Sequence, residues 1–245
     1  MKLRKFVIVS DIHGDQMDEG ACDGALAFTK EYNPEIRVIA GDLWDFSAIR
    51  RGATADERSA SMRADYEAGK GFAEAFLKGG KQNHLMLGNH DVRAFDLAES
   101  TDAVQADLGE RMVADINGLA RRLNAKLLPY DARDGVLEIG HLNVVHGFHT
   151  GPSACAQHGR IYGNVAFGHG HGIAAYQVPG LKQKEARMLG CLCKLDMDYA
   201  NRKTGKLVWA HGFGYGWVYD DGDYVLNQAR RIGGRFHAST EIKAY

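Results

Sequence analysis

The stretch RKFVIVSDIHG, residues 4–14, joins a short apolar run to a polar turn, and the fold is best worked out from it. Phe6 to Val9 are bulky and mostly β-branched, which predicts a buried strand. Asp11 and His13 follow directly, so two potential metal ligands stand where that strand ends. If the backbone stays extended, Val7, Val9, Asp11 and His13 share one face of the strand.

The same arrangement recurs along the chain, where other predicted strands also end in Asp, Asn or His. EIRVIAG leads into GDLWD, HLMLG into GNHD, a later strand ends in VVHG, and NVAF leads into GHGH. An extended backbone through this last motif would place Val165, Phe167, His169 and His171 on one face. Ligand sites in open α/β sheets lie beyond the carboxyl ends of strands, so we expect these polar ends to meet.

The strand ends offer carboxylates, imidazoles and an amide oxygen, with no thiolates among them. That donor set suits Mn, Fe, Zn or Mg ions rather than a structural zinc knot. Seven candidate ligands are too many for one tetrahedral ion. They favour two ions that share a bridging carboxylate, about 3.5–4 Å apart.

Taken in order, the motifs Asp-x-His, Gly-Asp, Gly-Asn-His-Asp, His and Gly-His-x-His resemble the signature of the calcineurin-like metallophosphoesterases. They extend from Asp11 to His171, about the first two-thirds of the chain. Each block alone is common, and the order of all five carries the resemblance. It implies an α/β fold in which two packed mixed β-sheets are flanked by helices as a four-layer sandwich.

The resemblance also implies two divalent metal ions per chain, with manganese favoured and iron, zinc, magnesium or nickel as alternatives. The implied ligands are Asp11, His13 and His171 for the first ion, Asn89, His146 and His169 for the second, and Asp42 as the bridge. Gly170 stands where relatives carry Thr, so we expect a roomier site or a looser backbone there.

His90 matches the position that contacts the scissile phosphate and protonates the leaving oxygen, and we expect Asp91 to orient it. The nucleophile that the resemblance implies is a hydroxide activated by both metals, and in keeping with this no Ser or Cys lies in a nucleophile motif. Asp45 either accepts a hydrogen bond from a ligand histidine or caps a helix. The candidate substrate contacts are Trp44, Arg93 and His149, although packing or solvation would also explain these residues.

The implied function is metal-dependent hydrolysis of phosphate esters, with phosphodiesters favoured. A DNA nuclease is the first alternative, because GDLWD and GNHD resemble the nuclease branch of the family. The net charge of −1 provides no overall positive field that would attract nucleic acid. A phosphomonoesterase and a non-catalytic interaction module of the same fold are further alternatives.

Strand and helix patterns alternate in the first half of the chain, with helices predicted at about 20–32, 56–77 and 101–123. No linker interrupts the chain, so we expect residues 1–245 to form a single domain with the motifs inside 1–175. Residues 176–245 read as a hairpin-rich extension that completes the second sheet. Its GFGYGWVY segment suggests exposed aromatic side chains and a possible homodimer.

The N-terminal apolar run, FVIV, is too short for a signal peptide, and no stretch is long enough to cross a membrane. The four cysteines are scattered, without a C-x-x-C pair. Cys191 and Cys193 are expected to alternate on a strand as small apolar residues, with zinc binding as the alternative. These features predict a cytoplasmic protein with no membrane partner.

Overall fold

The computed structural model of the chain describes residues 3–196 and 208–241. Within them, the strands are β1 (Leu3–Val9), β2 (Ile36–Ala40), β3 (Gln82–Met86), β4 (Ala125–Leu128), β5 (Leu137–Ile139), β6 (Leu142–Val145), β7 (Val165–Phe167), β8 (Ile173–Val178), β9 (Lys184–Leu189), β10 (Gly212–Tyr219), β11 (Tyr224–Ile232) and β12 (Arg235–His237). The α-helices are α1 (Glu19–Tyr32), α2 (Ala55–Ser59), α3 (Met62–Leu77), α4 (Arg93–Ala98), α5 (Ala103–Arg122) and α6 (Ala154–Tyr162).

The strands form two mixed sheets. The first has the order β12-β11-β10-β1-β2-β3-β4, in which β1 to β4 are parallel and β10 to β12 join antiparallel. The second has the order β5-β6-β7-β9-β8, with β6, β7 and β9 parallel and the outer strands antiparallel.

Alternating side chains of β1 show how the layers pack. Phe6 and Ile8 point into an apolar layer between the sheets, where they cluster with Val144 and Leu189 of the second sheet. The other face of the first sheet packs on helices through a cluster that includes the buried side chains Val7, Val9, Phe72, Phe76 and Leu119.

Helix α6 covers the outer face of the second sheet. Ala154 and Cys155 of this helix cluster with Val145, Phe167 and Met188 from three strands. Helices, sheet, sheet and helix therefore make four layers, which confirms the predicted α/β fold of two packed mixed sheets flanked by helices.

The predicted helix over 56–77 is two helices, because the chain becomes extended at Ala60 and a second capping residue, Ser61, begins a new helix. Thr54 and Glu57 form a reciprocal capping box at the start of α2. Ser61 then accepts a hydrogen bond from the backbone N–H of Ala64 and begins α3. The helices predicted at 20–32 and 101–123 are confirmed within two residues at each end as α1 and α5.

The predicted C-terminal hairpin is present, but it belongs to the first sheet. Strand β10 pairs antiparallel with β1 from Leu3↔Tyr219 to Ile8↔Gly214, whereas β9 and the end of β8 are the part of the extension that lies in the second sheet. The first residues of the predicted hairpin, Lys206 and Leu207, lie outside the described residues.

The aromatic side chains of GFGYGWVY are not the exposed patch that the sequence suggested. Phe213 and Tyr215 are 0% and 7% exposed, because they pack against Phe28 of α1. On the opposite face, a Cβ at Gly214 would press on Leu189 at 3.1 Å, so glycine there lets the second sheet approach β10 closely. The homodimer stays a prediction.

Two smaller expectations concern the cysteines and membranes. Cys191 and Cys193 are buried, as predicted for small apolar residues, but they make isolated bridges with His211 and Met17 rather than lie in a regular strand. Among the described residues, no helix is long and apolar enough to cross a membrane.

Candidate metal centre

The candidate ligands lie beyond the carboxyl ends of five strands, and both sheets contribute. Asp11 and His13 follow β1, Asp42 follows β2, and Asn89 follows β3, all in the first sheet. From the second sheet, His146 follows β6, while His169 and His171 follow β7. The structure therefore brings together all seven residues that the sequence predicted as ligands.

The backbone turns sharply at these residues instead of staying extended. Five of the candidate ligands have left-handed φ angles: Asp11 at 56°, His13 at 57°, Asp42 at 51°, His169 at 62° and His171 at 56°. The expectation that Asp11 and His13 continue a face of β1, and His169 and His171 a face of β7, is wrong. The left-handed turns bring successive polar side chains into one cluster, which alternation along an extended strand would not do.

Each left-handed residue that is not glycine costs about 1–2 kcal/mol, so the surroundings must hold these turns in place. The turn after β1 is held against the turn after β2. The backbone N–H of Asp11 donates to the carbonyl of Gly41 at 3.1 Å, and that of His13 donates to the carbonyl of Asp42 at 3.0 Å.

Asp11, His13 and His171 form the first group of candidate ligands. Nε2 of His171 lies 3.1 Å from Oδ1 of Asp11 and 3.2 Å from Nε2 of His13. All three side chains are buried. Asp11 is held in place by a hydrogen bond from Ser10 Oγ at 2.5 Å and by the backbone N–H of His169 at 2.9 Å.

Asn89, His146 and His169 form the second group, next to Asp42. Nε2 of His146 lies 3.2 Å from Oδ2 of Asp42 and 3.1 Å from Oδ1 of Asn89. His169 offers a nitrogen within 4.8 Å of ligand atoms of both Asp42 and His146. The same Oδ2 of Asp42 is 3.7 Å from Nε2 of His13, so Asp42 lies between the two groups.

The outer nitrogens of two histidines are already used. Nδ1 of His146 lies 2.9 Å from the carbonyl oxygen of Ala40, to which it donates, and Nδ1 of His13 lies 3.0 Å from Oδ1 of Asp45. Each Nε2 therefore turns its lone pair towards the oxygen atoms of the cluster. Acceptors so close together repel one another unless a proton or a cation lies between them, and this is the environment that divalent metal ions require.

The pKa values of the cluster histidines show that its carboxylates stabilise a nearby positive charge. Burial alone would lower the pKa of His146, but the charge of Asp42 and their hydrogen bond raise it to about 9. Burial would likewise lower the pKa of His171, but the charge of Asp11 and their hydrogen bond raise it to about 9. Burial and the neighbouring His146 lower the pKa of His169 to about 4, so its ring is neutral and keeps a free lone pair.

Asp45, not Asp91, makes the hydrogen bond that orients His90. Oδ1 of Asp45 lies 2.8 Å from Nδ1 of His90. Asp91 instead accepts hydrogen bonds from the backbone N–H groups of Trp44 at 2.9 Å and Gly88 at 2.8 Å, and it ties the loops after β2 and β3 together. Its burial, with the nearby charge of Asp42, raises the pKa of Asp91 to about 7.

The carboxylate of Asp45 is itself tightly held. Burial raises its pKa, but hydrogen bonds with His13 and His90 outweigh burial and hold the pKa far below its ordinary value. Asp45 is therefore ionised at neutral pH. Of the two roles expected for Asp45, the structure shows the hydrogen bonds with histidines and not the helix cap.

The three candidate substrate contacts lie in different surroundings. Trp44 is completely buried, with its ring stacked on Phe46 and Tyr66 at centroid distances of 5.6 Å, so the prediction that it contacts substrate is wrong. Arg93 donates to the carbonyl of Asp45 at 2.6 Å, and the His149 ring packs on His158 at 5.3 Å. For Arg93 and His149 the substrate role stays a prediction.

A cavity of about 840 Å³ opens directly onto the cluster. Its lining includes Asp42, Asn89, His90, His169 and His171. The cavity continues between the loop before α6 and strand β8, a region in which the sequence contains no recognisable motif. Sequence analysis therefore missed the apolar side chains that line this part of the cavity.

Met188 occupies the space beside Gly170. A Cβ at position 170 would overlap the sulfur of Met188, so the absence of a side chain there does not make the site roomier. Sequence analysis also missed two contacts of His171: Cys193 Sγ lies 3.7 Å from its Nδ1, and the Trp209 ring lies 4.2 Å from its ring centroid.

No family model matches the chain, and no curated protein matches it. Among solved structures, it is similar to Vps29 complexed with zinc from Entamoeba histolytica, with 12% identity, a TM-score of 0.47, and coverage of 95% of this chain and 96% of that one. It is also similar to YfcE, a phosphoesterase from E. coli, with 17% identity, a TM-score of 0.41, and coverage of 89% of each chain. These likenesses are distant, and the resemblance to the calcineurin-like metallophosphoesterases rests on the ordered motifs and on the convergence of their side chains at one edge of the two sheets.

Proposed function

We propose that this chain is a dinuclear metal-dependent phosphoesterase, a hydrolase that acts on phosphate esters and prefers phosphodiesters. The observation that supports the proposal is the position of Asp42, whose Oδ2 lies 3.7 Å from His13 Nε2 and 3.2 Å from His146 Nε2. A carboxylate between two groups of nitrogen and oxygen donors suits a pair of divalent ions.

The donors divide between two metal sites that share Asp42. Asp11, His13 and His171 would hold one ion, and Asn89, His146 and His169 the other. When bound, such ions neutralise charge on the phosphate and lower the pKa of a water molecule, which makes hydroxide available near neutral pH. Manganese is the proposed metal, because a mixed carboxylate, amide and imidazole set suits it.

His90 supplies the proton that the departing ester oxygen needs. Asp45 accepts the hydrogen bond from Nδ1, so the proton for the leaving oxygen is assigned to Nε2, which lies 4.0 Å from Oδ2 of Asp42 beside the cavity that His90 lines. As the P–O bond breaks, the proton on Nε2 passes to the leaving oxygen, and the ionised Asp45 stabilises the ring while it carries that proton.

The proposal is tested by measuring metal content and hydrolysis together. Purified protein is loaded with Mn²⁺, Mg²⁺ or Zn²⁺ and assayed on an aryl monoester, an aryl diester, cyclic nucleotides, and single- and double-stranded DNA. We expect two metal ions per chain and the fastest turnover on the aryl diester with Mn²⁺.

The other outcomes identify the alternatives. Turnover of DNA well above that of the small diester would indicate a nuclease, and preference for the monoester a phosphatase. Two bound metal ions without hydrolysis of any substrate would refute the enzymatic proposal and favour a non-catalytic interaction module.

A further inference from the structure

The cavity that begins at the candidate metal centre has an apolar wall. That wall includes Pro152, Ala174, Tyr176, Met188 and Trp209. These side chains come from the loop before α6, from β8 and β9, and from the segment before β10. Because the same space touches His90 and His169, a ligand whose phosphate lies at the metal centre can extend directly into it.

Glycines next to the ligand histidines make this apolar wall possible. Met188 is 7% exposed and fills the space beside Gly170 and Gly172, where a Cβ at position 172 would lie 2.9 Å from Met188 Cε. The thioether therefore reaches the edge of the metal centre. A methionine side chain adapts well to flat apolar groups such as aromatic rings.

The charge of the lining argues against a polyanion as occupant. Among the described residues that line the cavity there is no Lys or Arg, and its one carboxylate, Asp42, and its histidines belong to the metal centre. A bound nucleic acid is held largely by cationic contacts to successive phosphates. The volume, about 840 Å³, lies within the range of small-ligand sites, roughly 300–1,000 Å³.

We propose that the cavity binds an apolar ester group of the substrate, an aryl or branched alkyl group, against Tyr176 and Met188. The substrate class is then a small phosphate ester with one apolar substituent. This inference rests on the proposed function for the placement of the phosphate. Burial of the apolar group, rather than a charge contact, provides the preference among esters.

The test compares two phosphonates that bind but are not hydrolysed. Binding of methylphosphonate and 1-naphthylphosphonate to the Mn²⁺-loaded protein is measured by calorimetry. We expect 1-naphthylphosphonate to bind at least about tenfold more tightly, because its ring leaves water for the cavity. The variant Tyr176→Thr should lose about tenfold of that preference, while Tyr176→Phe, which keeps the ring, should retain it.

Tyr224→Thr is the matched control, because Tyr224 is also a half-buried strand tyrosine and lies outside this cavity. It should bind both phosphonates as the wild type does. Thermal unfolding of each variant shows that it is folded. Equal binding of the two phosphonates by the wild type, or an unchanged preference in folded Tyr176→Thr, would overturn the proposal.

The result separates this inference from the proposed function. Tight binding of 1-naphthylphosphonate without hydrolysis of any ester refutes the enzyme and leaves the apolar site standing. Hydrolysis of esters without tighter binding of the naphthyl compound supports the enzyme and refutes the apolar site. The remaining outcome is that a short single-stranded DNA displaces either phosphonate, with an affinity that falls steeply as the salt concentration rises. That result would assign the cavity to nucleic acid and overturn the proposal.

Discussion

Asp45 joins His13 to His90 through one oxygen atom: its Oδ1 lies 3.0 Å from Nδ1 of His13 and 2.8 Å from Nδ1 of His90. One buried carboxylate thus orients both a proposed metal ligand and the proposed general acid. A change at Asp45 should therefore affect metal affinity and proton transfer together.

Asp45→Asn keeps an acceptor oxygen and removes the charge. We expect kcat on an aryl diester to fall by about 10- to 100-fold and the affinity for Mn²⁺ to decrease as well. Steady-state kinetics and a metal titration measure the two effects. Asp107→Asn, an exposed substitution on α5, is the control, and unchanged kcat in Asp45→Asn would refute the orienting role.

His90→Asn removes the proposed proton donor and leaves all seven proposed ligands in place. We expect kcat to fall by about 10²- to 10⁴-fold while the metal content stays at two ions per chain. Mass spectrometry of the metals and diester hydrolysis test this, with the exposed His237→Asn as control. Undiminished hydrolysis in metal-loaded His90→Asn would contradict the mechanism.

Asp42→Ala removes the side chain that lies between the two groups of ligands. Both ions should be lost together, because each would lose a shared negative ligand. Asn89→Ala, by contrast, should weaken one site. Elemental analysis after gel filtration distinguishes these outcomes, and loss of only one ion from Asp42→Ala would show that Asp42 is not the bridge.

Metal binding should compete with protons on His146 and His171, whose pKa values are raised from 6.5 to about 9 in the metal-free protein. A raised histidine pKa contributes stability that is fully present below about pH 6.5 and is lost as the pH rises through about 9. The Tm of the metal-free protein should therefore fall across this range. Because fewer protons then oppose binding, the increase in Tm caused by Mn²⁺ should grow with pH.

Differential scanning fluorimetry between pH 6.5 and 8.5, with chelator or with Mn²⁺, measures both trends. A buffer series with matched ionic strength keeps the screening of charges the same at every pH. A metal-free Tm that rises with pH over this interval would contradict the assignment of raised pKa values to these histidines.

Gly170 and Met188 should be coupled, because a Cβ at position 170 meets the Met188 sulfur. Gly170→Ala should destabilise the fold by about 1–3 kcal/mol through overpacking. In Met188→Ala the same substitution should cost clearly less, since the obstructing thioether is gone. Chemical denaturation of the two single variants and the double variant measures the coupling, and strictly additive effects would show that the two residues do not compete for space.

The meeting of the seven proposed ligands could be predicted from sequence because each strand signal is local, whereas their division between two ions stays what the family resemblance implies. Apolar runs such as Phe6 to Val9 specify a strand, and the polar residues that follow in fixed order identify the edge at which the strands meet. The conformation of that edge could not be predicted in the same way. The left-handed φ angles at Asp11 and His169 depend on hydrogen bonds with loops far along the chain.

Contacts across the chain explain the remaining errors. Asp91 lies next to His90 in sequence, yet its carboxylate is taken by the N–H groups of Trp44 and Gly88, whereas Asp45 reaches the ring from another loop. Trp44 looked available for stacking, but Gly69 of α3 leaves room for its indole to be buried. Neither fact has a local sequence signal.

The pairing of β10 with β1 also means that β1 keeps an unpaired edge until the C-terminal part of the chain has folded. Until residues 212–219 are in place, β1 has β2 on one side and a bare row of N–H and C=O groups on the other. A chain truncated after His171 keeps every proposed ligand but presents this apolar strand as an open edge, which favours aggregation. The C-terminal hairpin thus protects the edge of β1, the strand that leads into the candidate metal centre.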